Sequence, residues 1–82
     1  MADQAIVARV QRIFDQVLNI SVPSAQTDII EGALLDSLAL VTLVFEVEQE
    51  FDLQIPLEAL EIEDFQSIDR IADFVAAREV LQ

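Results

Sequence analysis

Apolar residues recur along this chain at intervals of three and four, the spacing of one face of an α-helix. In the first segment Ile6, Val10, Ile13, Phe14 and Val17 form such a face, with Val7 and Leu18 beside it. A helix is predicted from about Asp3 to Asn19, with Asp3 favouring its start and Pro23 limiting its continuation. The pattern breaks between Ser21 and Leu35, where Pro23, Gly32 and a polar cluster from Ser24 to Asp28 interrupt it. Connections of that length in compact domains are usually functional or carry packed turns of their own. Ile29, Ile30, Leu34 and Leu35 imply that this one is pinned onto the core, and the single glycine, Gly32, marks a point where the backbone needs a permissive conformation.

Periodicity resumes at Asp36 and runs to about Phe51, a second helix ended by the Asp52 region before Ile55-Pro56. A short third helix of two turns is predicted within LEALEIEDF, residues 57–65. A fourth begins after Ser67, a suitable N-cap, with Ile68, Ile71, Ala72 and Val75 on one face and Phe74 beside them. No repeat and no defensible strand alternation is present. The predicted fold class is therefore all-α: a four-helix bundle with three longer helices, one short third helix and a long loop between helices one and two, in one domain over residues 1–82.

The second helix has more apolar surface than one neighbour can cover. At about 100° per residue, Leu40, Leu43, Val44, Val47 and Phe51 share an arc suited to the core. Leu38, Val41 and Phe45 form a separate stripe, with Ser37, Glu48 and Asp52 at its margins. That stripe either packs against the loop or the third helix, or stays open as a docking strip ringed by carboxylates. Apolar residues rimmed by polar ones are a usual mark of a protein interaction site.

Charge narrows the partners. The chain carries 16 acidic and 4 basic residues for a net charge of −12. The basic residues are Arg9, Arg12, Arg70 and Arg78, near the two ends, while the acids run through the middle. Such a field disfavours nucleic acid and anionic lipid, and it steers basic partners. No apolar run reaches the length of a membrane span, and the amphipathic N-terminus does not read as a signal peptide, so a cytoplasmic protein is expected. Cysteine and histidine are both absent, which removes a thiolate nucleophile, the usual zinc cluster and the commonest general base.

These exclusions bear on Leu34-Leu35-Asp36-Ser37-Leu38-Ala39-Leu40-Val41, where one acid and one hydroxyl stand inside an aliphatic run. As ordinary helix-start chemistry, Asp36 caps the helix and Ser37 occupies its first turn. As a catalytic nucleophile Ser37 lacks a partner, since the chain has neither histidine nor lysine to take its proton. A third role needs no local base: a handle modified by another enzyme. A helix N-terminus suits a phosphate ester, because free backbone N–H groups and the positive end of the dipole favour an anion.

Asp36-Ser37-Leu38 followed by an apolar helix, then Glu48-Gln49-Glu50-Phe51-Asp52, Ile55-Pro56 and Phe65-Gln66-Ser67-Ile68 at these spacings, resembles the acyl carrier proteins and related peptidyl carrier domains. The resemblance spans roughly Asp28 to Val75. It implies a non-enzymatic four-helix carrier whose Ser37 bears a covalent 4′-phosphopantetheine arm. The arm's thiol holds an acyl or aminoacyl group as a thioester. It implies that Asp36 helps the phosphopantetheinyl transferase bind its metal ion during attachment, with no metal resident in the carrier. It places Leu38, Val41, Phe45 and Glu48 on positions that touch partner enzymes. These are the transferase, a loading ligase and acyl-processing enzymes with basic docking patches, met by a monomeric carrier.

Carriers for fatty-acid synthesis usually have acids two and five positions after the serine and glycine two before the aspartate. Here those positions hold Ala39, Thr42 and Leu34. Asp28-Ile29-Ile30-Glu31-Gly32 leading into the serine looks closer to D-alanyl and other aminoacyl carriers, or to specialised extender-unit carriers. The alternative is an acidic helical interaction module that binds a basic partner with no prosthetic group. A calcium-binding role lacks the D-x-D-x-D-G loop.

Overall fold

A computed structural model of the chain describes residues 3–32, 35–56, 58 and 60–81, the last three of these by backbone alone. Its described residues are all-helical with no strand. Helix α1 (Gln4–Arg12) runs directly into a π-helical segment (Ile13–Leu18), helix α2 spans Ser37–Phe51, a 3-10 turn spans Ile62–Phe65, and helix α3 spans Ile68–Leu81.

The helix starts are set by side chains that satisfy first-turn N–H groups. The Asp3 carboxylate accepts from Ala5 N–H at 2.9 Å and the Asp36 carboxylate from Ala39 N–H at 2.7 Å. Ser67 Oγ accepts from Arg70 N–H at 3.2 Å, so the predicted caps stand where the sequence placed them. The ends of the first two helices fall where the sequence places them, at Asn19 and in the Asp52 region. Asn19 and Asp52 adopt the left-handed conformation, at φ 55° and 54°, and turn the chain out of the π segment and of α2. The first helical segment thus stops at Asn19 itself, four residues before Pro23. Gly32 has no positive φ. Its N–H closes a turn onto the Asp28 carbonyl at 3.2 Å, and the permissive conformations fall on Asn and Asp instead, whose short polar side chains tolerate them.

The core draws on every element. Ile6, Val10, Ile13 and Phe14 meet Leu43, Val44, Val47 and Phe51 of α2 and Ile68, Ile71, Ala72 and Val75 of α3. Val17 departs from its predicted face and stands 45% exposed. The i→i+5 pattern of the π segment rotates each residue less than an α-helix does, so Leu18 rather than Val17 comes round onto the core.

The third helix is the largest correction. Leu57 and Ala59 lie outside the described residues, but Leu60 and Glu61 are not helical and Glu61 is extended at φ −102°, ψ 124°. A continuous two-turn helix over 57–65 is therefore not formed: Glu58 is in a 3-10 conformation, Leu60 and Glu61 are non-helical, and a further 3-10 turn at Ile62–Phe65 buries Phe65. A short run crowded with Glu61, Glu63 and Asp64 gains too few bonds to offset helix nucleation.

The long loop is pinned as expected. Val22 and Ile29 are buried, and Ala25, Ile30 and Leu35 pack partly against the core, while Leu34 lies outside the described residues. Backbone bonds tie the loop to the start of α3: Ile29 N–H to Gln66 carbonyl and Asp69 N–H to Ala25 carbonyl, both 2.9 Å.

Candidate functional site

Asp36 and Ser37 stand where the pinned loop becomes α2. Asp36 is extended, at φ −95° and ψ −178°, and Ser37 is the first helical residue. Asp36 takes two first-turn donors, Ala39 N–H on its carboxylate and Leu40 N–H on its carbonyl at 2.9 Å. Among the described residues no acceptor is found for the N–H groups of Ser37 and Leu38. Both Asp36 and Ser37 are exposed. The serine therefore stands exposed at the positive end of a 15-residue helix, beside one carboxylate and two N–H groups with no acceptor among the described residues.

The loop reaches this point through Asp28, which sequence reasoning did not single out. One Asp28 oxygen accepts from Glu31 N–H at 2.7 Å and Ile30 N–H at 3.0 Å, and the other accepts from the Gln66 amide at 2.8 Å. The bond from Glu31 leads in holding the Asp28 carboxyl below its ordinary range, with further help from Gln66 and Ile30 and against partial desolvation. The available signal was Asp28 two residues before Ile30, the pattern of an Asx turn.

Downstream of Ser37, the second stripe of α2 is open. Leu38 is 76% exposed, Val41 51% and Phe45 56%. Its margins differ from the expected ring of carboxylates. Thr42 and Gln49 flank one side, with the Thr42 hydroxyl donating to the Leu38 carbonyl at 3.0 Å. Ser37 and Glu48 flank the other, and the Glu48 carboxylate accepts from Ile55 N–H at 2.7 Å. Glu48 thus braces the segment after α2, an internal use the spacing alone did not show. Asp52 is exposed just past the helix end. Among the described residues no three acidic side chains converge where a metal ion could be held.

Compared with models of known families, residues 8–75 match the one described as the phosphopantetheine attachment site. That match takes in most of the chain, including the loop, Asp36, Ser37 and the open stripe. The chain belongs to the phosphopantetheine-binding carrier family. Members are non-catalytic carriers that bear 4′-phosphopantetheine covalently on a serine, and they work with phosphopantetheinyl transferases and processing enzymes. No curated protein and no solved structure matches the chain.

The residues present fit such a group. An exposed serine at a helix N-terminus, beside two backbone N–H groups with no acceptor among the described residues, suits a phosphodiester. Among the described residues no helix is long and apolar enough to cross a membrane.

Proposed function

We propose that the protein is an acyl or aminoacyl carrier that works in the cytoplasm as a monomer, with residues 1–82 as one carrier domain and Ser37 as the point of attachment. The observation that carries this is the exposed Ser37 hydroxyl at the start of α2, inside the family match and next to the capped Asp36. The chain's other three serines suit the role less well. Ser67 is buried and caps α3, Ser24 is committed to a local turn with Thr27 and Gln26, and Ser21 lies away from the open stripe in sequence.

When bound, the arm supplies the thiol that this cysteine-free chain lacks, and cargo is held there as a thioester. The chain's own residues do the rest. Ser37 would offer its oxygen to the pantetheine-side phosphorus of coenzyme A, and the pyrophosphate P–O bond would break with 3′,5′-adenosine bisphosphate as the leaving group. The serine proton would pass to a base on the transferase, since no histidine or lysine is present to accept it. Asp36 keeps its carboxylate exposed beside the hydroxyl, in position to contact the transferase's metal ion. Leu38, Val41 and Phe45 offer the docking surface, and Glu48 lies at its edge. The large negative charge draws enzymes with basic surfaces from a distance.

Ala39 and Thr42 at the second and fifth positions after Ser37, and Leu34 before Asp36, favour a specialised biosynthetic or aminoacyl carrier over a fatty-acid one. Incubation with coenzyme A and a broad-specificity phosphopantetheinyl transferase tests the proposal. Intact-mass analysis is expected to show one arm added to the wild type and none to Ser37→Ala. No addition to the wild type, or an addition that survives Ser37→Ala, sinks it.

A further inference from the structure

The loop before Ser37 is fastened to the start of α3 by paired contacts. Gln66 takes Ile29 N–H on its carbonyl at 2.9 Å and donates its side-chain amide to Asp28 at 2.8 Å. Asp69 mirrors it, giving its N–H to the Ala25 carbonyl at 2.9 Å and accepting from the Gln26 amide at 2.6 Å. Backbone and side chain alike thus hold residues 25–29 to residues 66–69, and Ile29 is fully buried. The two side-chain ties differ in what they carry. Gln26 and Asp69 close an exposed contact. Asp28 also caps the turn that follows it, its other oxygen taking the N–H groups of Ile30 and Glu31 and its carbonyl taking that of Gly32. Gln66 therefore holds the residue on which that turn is built.

Only two residues separate Gly32 from Leu35, which packs on the core, and that link spans no more than about 11 Å. It leaves little slack to absorb a shift of the turn. Asp36 is extended, so its orientation is set from the loop side as well as by its bonds to α2. Resting on Ser37 as the attachment point, we propose that Gln66 is a positioning residue for arm attachment, acting through Asp28 to hold Asp36 and Ser37 in the geometry the transferase needs. In that step Ser37 Oγ bonds to the pantetheine-side phosphorus of coenzyme A, 3′,5′-adenosine bisphosphate leaves, and the serine proton passes to the transferase. Misplacing a reacting group by about 1 Å can slow such a step by up to about 100-fold.

The carrier is the transferase's substrate, which separates positioning from mere stability. A partly unfolded carrier is a diluted substrate: it raises the half-saturating concentration and leaves the saturated rate alone. Single-turnover loading of the full chain by a broad-specificity transferase with coenzyme A, followed against carrier concentration, reads both quantities. Gln66→Met removes the tie without adding charge and is expected to lower the saturated rate by more than about fivefold. Gln66→Glu, which sets two carboxylates against each other, gives the same reading if melting shows Gln66→Met to be poorly folded. Gln66→Glu combined with Asp28→Asn exchanges amide and carboxylate, keeps the net charge and leaves an oxygen to cap Ile30 and Glu31. That pair is expected to return the saturated rate to within about twofold of the wild type, as re-made coupling between contacting residues does. An unchanged saturated rate in the single variants, a loss confined to the half-saturating concentration, or a folded exchange variant that does not recover overturns the positioning role. Failure of the wild type to accept an arm at all is a different result, and it removes Ser37 as the attachment point.

Discussion

Arg9 and Glu50 fasten the first helix to the end of the second. Arg9 Nε donates to the Glu50 carboxylate and Nη2 to the Glu50 carbonyl, each at 2.7 Å, and the guanidinium lies 4.4 Å over the Phe51 ring. The cation sits where the carbonyls at the C-terminal end of α2 lack partners within the helix. Both side chains are about a third or more exposed, so the ion pair alone contributes little. The carbonyl bond and the ring contact carry most of the effect.

Arg9→Ala is accordingly expected to destabilise the fold by about 1–2 kcal/mol, read from the urea midpoint. Arg9→Lys keeps the charge but loses the planar fork that reaches two oxygens at once, and it is expected to recover less than half of that loss. Full recovery by lysine would show that the contact is purely coulombic.

Asp36 has a structural task and a proposed functional one, and two substitutions separate them. Asp36→Ala removes the acceptor for Ala39 N–H and is expected to cost about 0.5–2 kcal/mol, as loss of an N-cap does. Asp36→Asn keeps an oxygen in place, so its melting temperature is expected to stay close to that of the wild type. Its loading by the transferase is expected to fall sharply, because the carboxylate that meets the metal ion is gone. Normal loading of Asp36→Asn would reduce Asp36 to a cap.

Asp28 gives the loop a pH dependence with a definite sign. Its folded pKa is depressed below the ordinary 3.8 by the N–H of Glu31, then by Gln66 and Ile30. The carboxylate's contribution is therefore complete above that unfolded value and is lost as pH falls through the lower folded one. The difference in urea midpoint between wild type and Asp28→Asn is expected to be constant at neutral pH and to shrink only below about pH 4. Shrinkage centred near pH 6 would assign the effect to another group. Comparing the two proteins cancels the general relief of acidic repulsion as the other carboxylates protonate.

The parts of this molecule that were legible in the sequence are those written locally. The faces of the helices, the caps at Asp3, Asp36 and Ser67, and the outward stripe of α2 follow from residues a few positions apart. The place of Ser37 at the exposed start of α2 was legible for the same reason, and the surrounding spacings indicated the family. The Arg9–Glu50 contact, the Asp28–Gln66 tie and the brace from Glu48 to Ile55 join positions that no local period relates. The failures at Val17 and in the third helix share another cause. A π segment and a 3-10 turn change the angle per residue, so a 3.6-residue template assigns the wrong face or the wrong length. Gly32 misled because a left-handed residue was sought at the glycine, while Asn19 and Asp52 supplied it.

Asp52 tests that last point. It is held at φ 54°, where a side chain crowds the following carbonyl, and its carboxylate stands at the negative end of the α2 dipole. Its N–H, with that of Leu53 at 3.0 Å, closes onto the Glu48 carbonyl, an arrangement that depends on the backbone and not on the side chain. Asp52→Gly removes both penalties and keeps both bonds, at the cost of a more flexible unfolded chain. The expected net change is a gain of about 0.5–1 kcal/mol in the urea midpoint analysis, whereas Asp52→Val, β-branched and unsuited to positive φ, loses more than 1 kcal/mol. Equal stability of the glycine and valine variants would show that α2 ends without a left-handed residue.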